Sequence, residues 1–214
     1  MCTRVVYSGK NGMVATGRSM DWKTEMHSNL WVFPKGMERN GETGSNSLKW
    51  TSMYGSVVTS AFEIASTDGM NEKGLVANLL WLPEAEYPIR DQSKPGLAIT
   101  AWVQYMLDNF ATVGEAVAAI DENTFQVVSD MMPDGSRLAT LHLSISDATG
   151  DCAIFEYIGG KLTVYHSKEY KVMTNSPTYN KQLALNEYCP EPTVHPTVLQ
   201  EPVFILMPCP KQMM

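Results

Sequence analysis

The clearest alternation of apolar and polar positions runs through Leu141, His142, Leu143, Ser144, Ile145 and Ser146, where every second residue is aliphatic. A period of two marks a strand with one buried face, and the stretch 138–146 reads as one strand. Residues 153–158 and 161–166 are β-rich runs either side of Gly159-Gly160, which reads as a hairpin. Residues 171–174 read as a further strand that stops at Asn175-Ser176-Pro177. At the other end of the chain, residues 3–8 and 13–17 flank Gly9-Lys10-Asn11-Gly12, and Asn-Gly between two strand-like runs is a strong hairpin signal. Residues 30–33, 49–53, 56–61 and 75–82 supply more strands, punctuated by glycine and asparagine.

The period changes in the middle. Ile99, Val103, Met106 and Phe110 recur at spacings of four, three and four, one face of a helix. Ser93 is placed to cap that helix and Pro95 to open its first turn. Thr112-Val113-Gly114-Glu115 has the form of a capping box, and Ala116, Val117 and Ile120 continue a second, shorter helix. Strands, then helices, then strands predict an α+β layered domain rather than alternating βαβ units.

Composition narrows the function classes. The 214 residues are 44 % hydrophobic and 18 % charged, enough for a sizeable core. Twenty-three acidic residues against 16 basic ones give a net charge of −7, which argues against a nucleic-acid partner. No apolar run approaches the ~20 residues that span a bilayer, so no membrane role is expected. No Cys/His spacing suits zinc, and GxSxG, GxGxxG and phosphate-loop patterns are absent, so neither a metal nor an organic cofactor is expected.

Cys2 is the most informative residue. A small second residue favours removal of Met1, which would leave one residue carrying both a thiol and a free α-amine. An α-amine titrates at about 7.7–8.0, close to what a general base needs. The alternative is a plain buried thiol. Arg18, Asp21 and Trp22 follow the return strand of the first hairpin, which would bring them back beside Cys2. Arg18 could favour the thiolate. Asp21 could orient the amine or the thiol, unless the two form an ordinary surface pair. Asn175 could donate to a developing oxyanion, or simply close an Asx turn. Trp22 and Trp81 could line an apolar acyl pocket or belong to the core. Asp68-Gly69 and the Glu84/Glu86 pair read as turn and solvent positions.

Cys2-Thr3-Arg4, Arg18-Ser19-Met20-Asp21-Trp22, Met70-Asn71-Glu72-Lys73-Gly74-Leu75 and Thr174-Asn175-Ser176-Pro177, in that order, resemble the choloylglycine hydrolase family, which groups bile salt hydrolases with penicillin V acylases. The resemblance covers about residues 2–188. It implies an N-terminal nucleophile hydrolase fold, an αββα sandwich of two antiparallel sheets, here incomplete at its C-terminal end. It implies Cys2 as nucleophile with its own amine as base, Arg18 and Asp21 as the residues that steady thiolate and amine, and Asn175 as an oxyanion donor. The best-known Gram-positive members carry an oxyanion asparagine where ungapped alignment places Trp81 of this chain. Asn78 is out of register with that position and would point elsewhere. Trp22 with Trp81 is similar to the Gram-negative branch, where these rings face substrate. The substrate implied is a small-molecule amide: glycine- or taurine-conjugated bile salts first, penicillin V or acyl homoserine lactones as alternatives. A homotetramer is implied for full-length members. A chain beginning Met1-Cys2 suggests the cytoplasm, or the periplasm if a signal was trimmed. The reading from a different class is a non-catalytic fragment.

The end of the chain changes character. Six of the 12 prolines and two of the four cysteines fall in the last 26 residues. Family members carry an arginine-containing ADRF-type motif in that region, and it is absent here. Shifting codons for a family-like stretch by one base encodes residues 189–214 without interruption. These residues are therefore expected to be a frameshifted, non-native tail, and the chain as written is expected to be weakly active or inactive.

Overall fold

The protein is described from a computed structural model, which defines residues 1–121 and 124–188. In chain order the strands and α-helices are β1 (Thr3–Ser8), β2 (Val14–Ser19), β3 (Leu30–Phe33), β4 (Glu38–Asn40), β5 (Lys49–Thr51), β6 (Ser56–Ala61), β7 (Ala65–Asn71), β8 (Val76–Trp81), β9 (Gly96–Ala98), α1 (Trp102–Asn109), α2 (Val113–Asp121), β10 (Gln126–Val128), β11 (Leu141–Ser146), β12 (Cys152–Ile158), β13 (Lys161–His166), β14 (Val172–Thr174) and α3 (Tyr179–Tyr188). A seven-stranded sheet has the order β13-β12-β11-β8-β7-β6-β3, with every neighbouring pair antiparallel. A three-stranded antiparallel sheet has the order β14-β1-β2. The chain divides into two compact units, Met1–Tyr179 and Asn180–Met214, and both sheets belong to the first. The tail at 189–214 lies outside the described residues.

The two faces of the large sheet have different chemistry. On one, Ala77 and Leu79 of β8, Leu143 and Ile145 of β11, and Ala153, Phe155 and Tyr157 of β12 pack in one buried cluster with Trp102, Val103, Met106 and Leu107 of α1 and Val113, Ala116 and Ile120 of α2. Full burial of a large aliphatic or aromatic side chain contributes about 1.5–3 kcal/mol, so this layer supplies most of the drive to fold. The intervening residues face the three-stranded sheet and are mostly polar. Thr16 of β2 bonds Ser146 (2.8 Å), Arg4 of β1 donates to the Ile145 carbonyl (3.2 Å), and Arg18 of β2 donates to Asp68 of β7 (2.7 Å). This polar seam fixes the two sheets by directional bonds. Within it the fully buried Glu156 carboxylate accepts from His142 Nδ1 (2.9 Å) and from the Tyr179 backbone N–H (2.9 and 3.1 Å), the first residue of α3. A carboxylate at a helix N-terminus meets unpaired N–H groups and the positive end of the helix dipole.

The period-two runs form strands as expected, and the first hairpin turns through Asn11 (φ 61) and Gly12 (φ 74), left-handed conformations that Asn-Gly tolerates. Three expectations change. First, the helix expected from Ser93 begins at Trp102. Ser93 caps nothing: its N–H and Oγ both donate to Asp91 Oδ1. Gly96–Ala98 is β9, parallel to β10, and Ile99–Ala101 is a 3-10 turn leading into α1. Gly41 crosses that strand so closely that a Cβ there would lie 2.2 Å from the Gly96 carbonyl oxygen. Second, Asp68-Gly69, expected to be a turn, lies within β7, an interior strand of the large sheet. Third, β11 starts at Leu141, because Leu138 instead bridges back to Met131. No described helix is long and apolar enough to cross a membrane.

Candidate active site

Strand register builds the site around Cys2. Thr3 lies opposite Thr174 on one side and Ser19 on the other. Position 2 is therefore flanked by Asn175 and by the Met20-Asp21-Trp22 segment. Cys2 is a free cysteine, 4 % exposed. Its carbonyl accepts from Thr174 Oγ1 (3.0 Å), and its backbone nitrogen donates to Asn175 Oδ1 (2.5 Å). Asn175 Nδ2 donates to the Trp81 carbonyl oxygen (2.7 Å). The asparagine side chain thus bridges the Cys2 nitrogen and the end of β8. One Nδ2 hydrogen is used in that bridge and a second remains.

Arg18 is 9 % exposed and held by a fork of two bonds, Nη1 to Asp68 Oδ2 (2.7 Å) and Nη2 to the Leu79 carbonyl (2.8 Å). Asp68 also accepts from Asn78 Nδ2 at Oδ1 (3.0 Å). Burial pushes the Asp68 carboxyl above the ordinary carboxylate range, and Arg18, Asn78 and Thr67 pull it part of the way back. Both Arg18 terminal nitrogens make bonds, while its Nε is buried without a partner among the described residues. Asn78 points into the polar seam, as its register predicts. Asp68 is the partner of Arg18 that the sequence reading did not indicate. Its signal was available: an arginine on an inward strand position needs a buried carboxylate somewhere.

Asp21 stands apart from this cluster. It is exposed, and its Oδ2 and backbone carbonyl each accept from the Met1 ammonium at 3.1 Å. It contacts the amine of Met1, the residue whose removal would transfer the free amine to Cys2.

Cys2 and Arg18 line a cavity of about 100 Å³. The rest of its wall is mostly apolar, with Met20, Trp22 and Met26 from the segment after β2, Ala65 of β7, Leu79 and Trp81 of β8, and Met131, Met132 and Pro133, and its polar members are Thr67, Thr100 and Asp130. Trp22 and Trp81 meet at 5.3 Å between ring centroids, and the Arg137 guanidinium lies 4.2 Å above the Trp81 ring. The structure thus brings Cys2, Arg18, Trp22 and Trp81 to one cavity and Asn175 to the nitrogen of Cys2. The methionines and Arg137 are further members that no sequence spacing indicated. Among the described residues no three His, Cys, Asp or Glu side chains converge on a metal position.

This arrangement has close relatives. The chain is 53 % identical over 196 residues to a penicillin V acylase of Pectobacterium atrosepticum, covering 87 % of this chain and 52 % of the relative. It is 26 % identical over 183 residues to a bile salt hydrolase/transferase of Bifidobacterium longum subsp. longum, covering 84 % and 56 %. Among solved structures, the penicillin V acylase from Agrobacterium tumefaciens superposes with a TM-score of 0.82 at 59 % identity over 87 % of this chain and 56 % of that one. A conjugated bile acid hydrolase from Clostridium perfringens superposes with a TM-score of 0.73 at 30 % identity over 88 % and 57 %. The chain spans about half the length of these relatives. The fold is accordingly that of the N-terminal nucleophile hydrolases. The family model for linear amide C–N hydrolases matches residues 2–200, and the chain belongs to the choloylglycine hydrolase family.

Proposed function

We propose that this chain carries the nucleophile of an amide hydrolase, with Cys2 attacking the substrate carbonyl once Met1 has been removed. The observation that carries this reading is the placement of Cys2: it lines an apolar cavity beside Arg18 while Asn175 holds its nitrogen. In the proposed cycle the α-amine takes the thiol proton and the thiolate adds to the amide carbon. The second Nδ2 hydrogen of Asn175 and neighbouring backbone N–H groups meet the oxyanion. Collapse expels the amine, which takes the proton back from the α-ammonium, and leaves a thioester. Water, deprotonated by the same amine, then releases the acid and restores the thiol.

Sequence identity favours a penicillin V-type amide as substrate. The relatives named penicillin V acylase are 53 % and 59 % identical to this chain, whereas those named for bile salts or bile acids are 26 % and 30 % identical. This reverses the order expected from sequence, which put conjugated bile salts first. Bile salts are the second reading, favoured by the relatives that bear that name.

The test is amine release from penicillin V and from glycocholate, with N-terminal mass spectrometry of the same sample. Hydrolysis that requires loss of Met1 and disappears in Cys2→Ser supports the proposal. A folded sample with a free Cys2 amine that turns over neither substrate supports the fragment reading instead.

A further inference from the structure

Arg137 is exposed, and its guanidinium lies over the ring of Trp81, a wall residue of the Cys2 cavity. It lies at the base of a hairpin closed by the Met131–Leu138 bridge and by a bond from the Met132 N–H to the Arg137 carbonyl (2.8 Å). The tip turns through Gly135 (φ 66), whose N–H bonds the Met132 carbonyl at 2.7 Å. Met131, Met132 and Pro133 of this hairpin are cavity wall. The hairpin therefore places the Arg137 guanidinium on the outer side of Trp81, while the carbonyl of the same tryptophan accepts from the asparagine that holds Cys2.

No carboxylate lies within ion-pair distance of Arg137 among the described residues. The acidic groups nearby are Asp134, which the Ser136 hydroxyl and N–H and then the charges of Lys23 and Arg137 hold below the ordinary carboxylate range, and Asp130, which accepts from the Met131 N–H and lines the same cavity. Lys23 is the other cation on these segments. A guanidinium lying over an aromatic ring still directs its N–H donors outward in its own plane, in a fork that matches a planar anion.

We infer that Arg137 is a specificity-determining residue that binds an anionic group on the departing amine of the substrate. The inference rests on the reading of the cavity as an acyl site. An apolar acyl group inside the cavity puts the scissile carbonyl at Cys2 on the wall, and the amine half then extends outward, toward the Arg137 guanidinium over Trp81. A carboxylate or sulfonate on that half gains a charge-assisted contact that a neutral amide lacks.

The test uses phenoxyacetylglycine and its neutral analogue phenoxyacetylglycinamide, which share one acyl group. Binding is read by quenching of tryptophan fluorescence in a Cys2→Ala background, and hydrolysis by amine release from the unaltered protein. The anion should bind about three- to tenfold more tightly than the neutral ligand, less so in high salt. Arg137→Ala should abolish that preference, and Arg137→Lys should restore part of it. Equal affinity for both ligands, a preference that survives Arg137→Ala, or binding of neither overturns the inference. Binding with the Arg137-dependent preference but no hydrolysis of either ligand upholds it and overturns the hydrolase reading. Hydrolysis of both at equal kcat/KM does the reverse.

Discussion

Replacing Asp68 should damage both stability and thiol reactivity. Asp68 and Arg18 form one ion pair in the seam between the sheets, with side chains 17 % and 9 % exposed. Asp68→Ala removes the anion and leaves the guanidinium buried with only the Leu79 carbonyl bonded to its terminal nitrogens. Breaking one side of a buried pair costs about 3–5 kcal/mol, a large share of the ~5–15 kcal/mol that holds a typical domain together. Asp68→Asn keeps an oxygen for Arg18 Nη1 but loses the charge, and should cost about 1–3 kcal/mol. Exchanging both partners for apolar residues, Arg18→Met with Asp68→Leu, should return stability to within about 1 kcal/mol of the parent without restoring thiol reactivity. The pH dependence has a definite sign. Burial raises the folded-state Asp68 pKa, so as pH climbs from the ordinary carboxylate range the unfolded chain loses this proton first. The Asp68 contribution to stability is therefore fully present below that range, and it falls until the folded carboxyl ionises. Asp68→Asn removes that slope. Urea midpoints across pH 3–7 and iodoacetamide alkylation of Cys2 measure both effects. A cost below about 1 kcal/mol for Asp68→Ala at unchanged m-value, with an unaltered alkylation profile, would refute the coupling.

Gly41→Ala should lower stability by about 3 kcal/mol, because its Cβ would lie 2.2 Å from a backbone oxygen that side-chain movement cannot relieve; an unchanged urea midpoint contradicts the close packing of this crossing. Glu156→Ala strips an acceptor from His142 and from the first N–H of α3 and should cost about 2–4 kcal/mol, with Glu156→Gln costing roughly half; thermal unfolding of the two variants gives the comparison. Trp81→Ala should raise KM for an aromatic acyl amide about tenfold with little change in Cys2 alkylation, since its backbone carbonyl still holds Asn175; loss of alkylation would show that the ring instead positions the nucleophile.

The strands that could be read directly are those with one apolar face. Leu141, Leu143 and Ile145 meet the helices, and the alternation reports it. β7 was hidden because the residues that would mark its inward face are polar. Asp68 points into the seam toward Arg18, so Thr67-Asp68-Gly69 looks like a turn until its partner strand is known. The helix start was misplaced because Ser93 and Pro95 suit a helix opening locally, while the pairing of β9 with β10, some 30 residues away, decides otherwise. Cys2, Arg18, Trp22 and Trp81 were recoverable because their chemistry is unusual for their positions. Arg137 was not, because an exposed arginine in a hairpin carries no signal until the ring beneath it is located.

The pairing of Thr3 with Thr174 has a consequence for biosynthesis. β1 is made about 170 residues before β14. At about 5–20 residues per second, roughly ten to thirty seconds separate the two at the ribosome. Throughout that interval β1 can at most pair with β2, and its second edge waits for β14. Cys2 is therefore enclosed only when β14 and the Asn175 that follows it have been made.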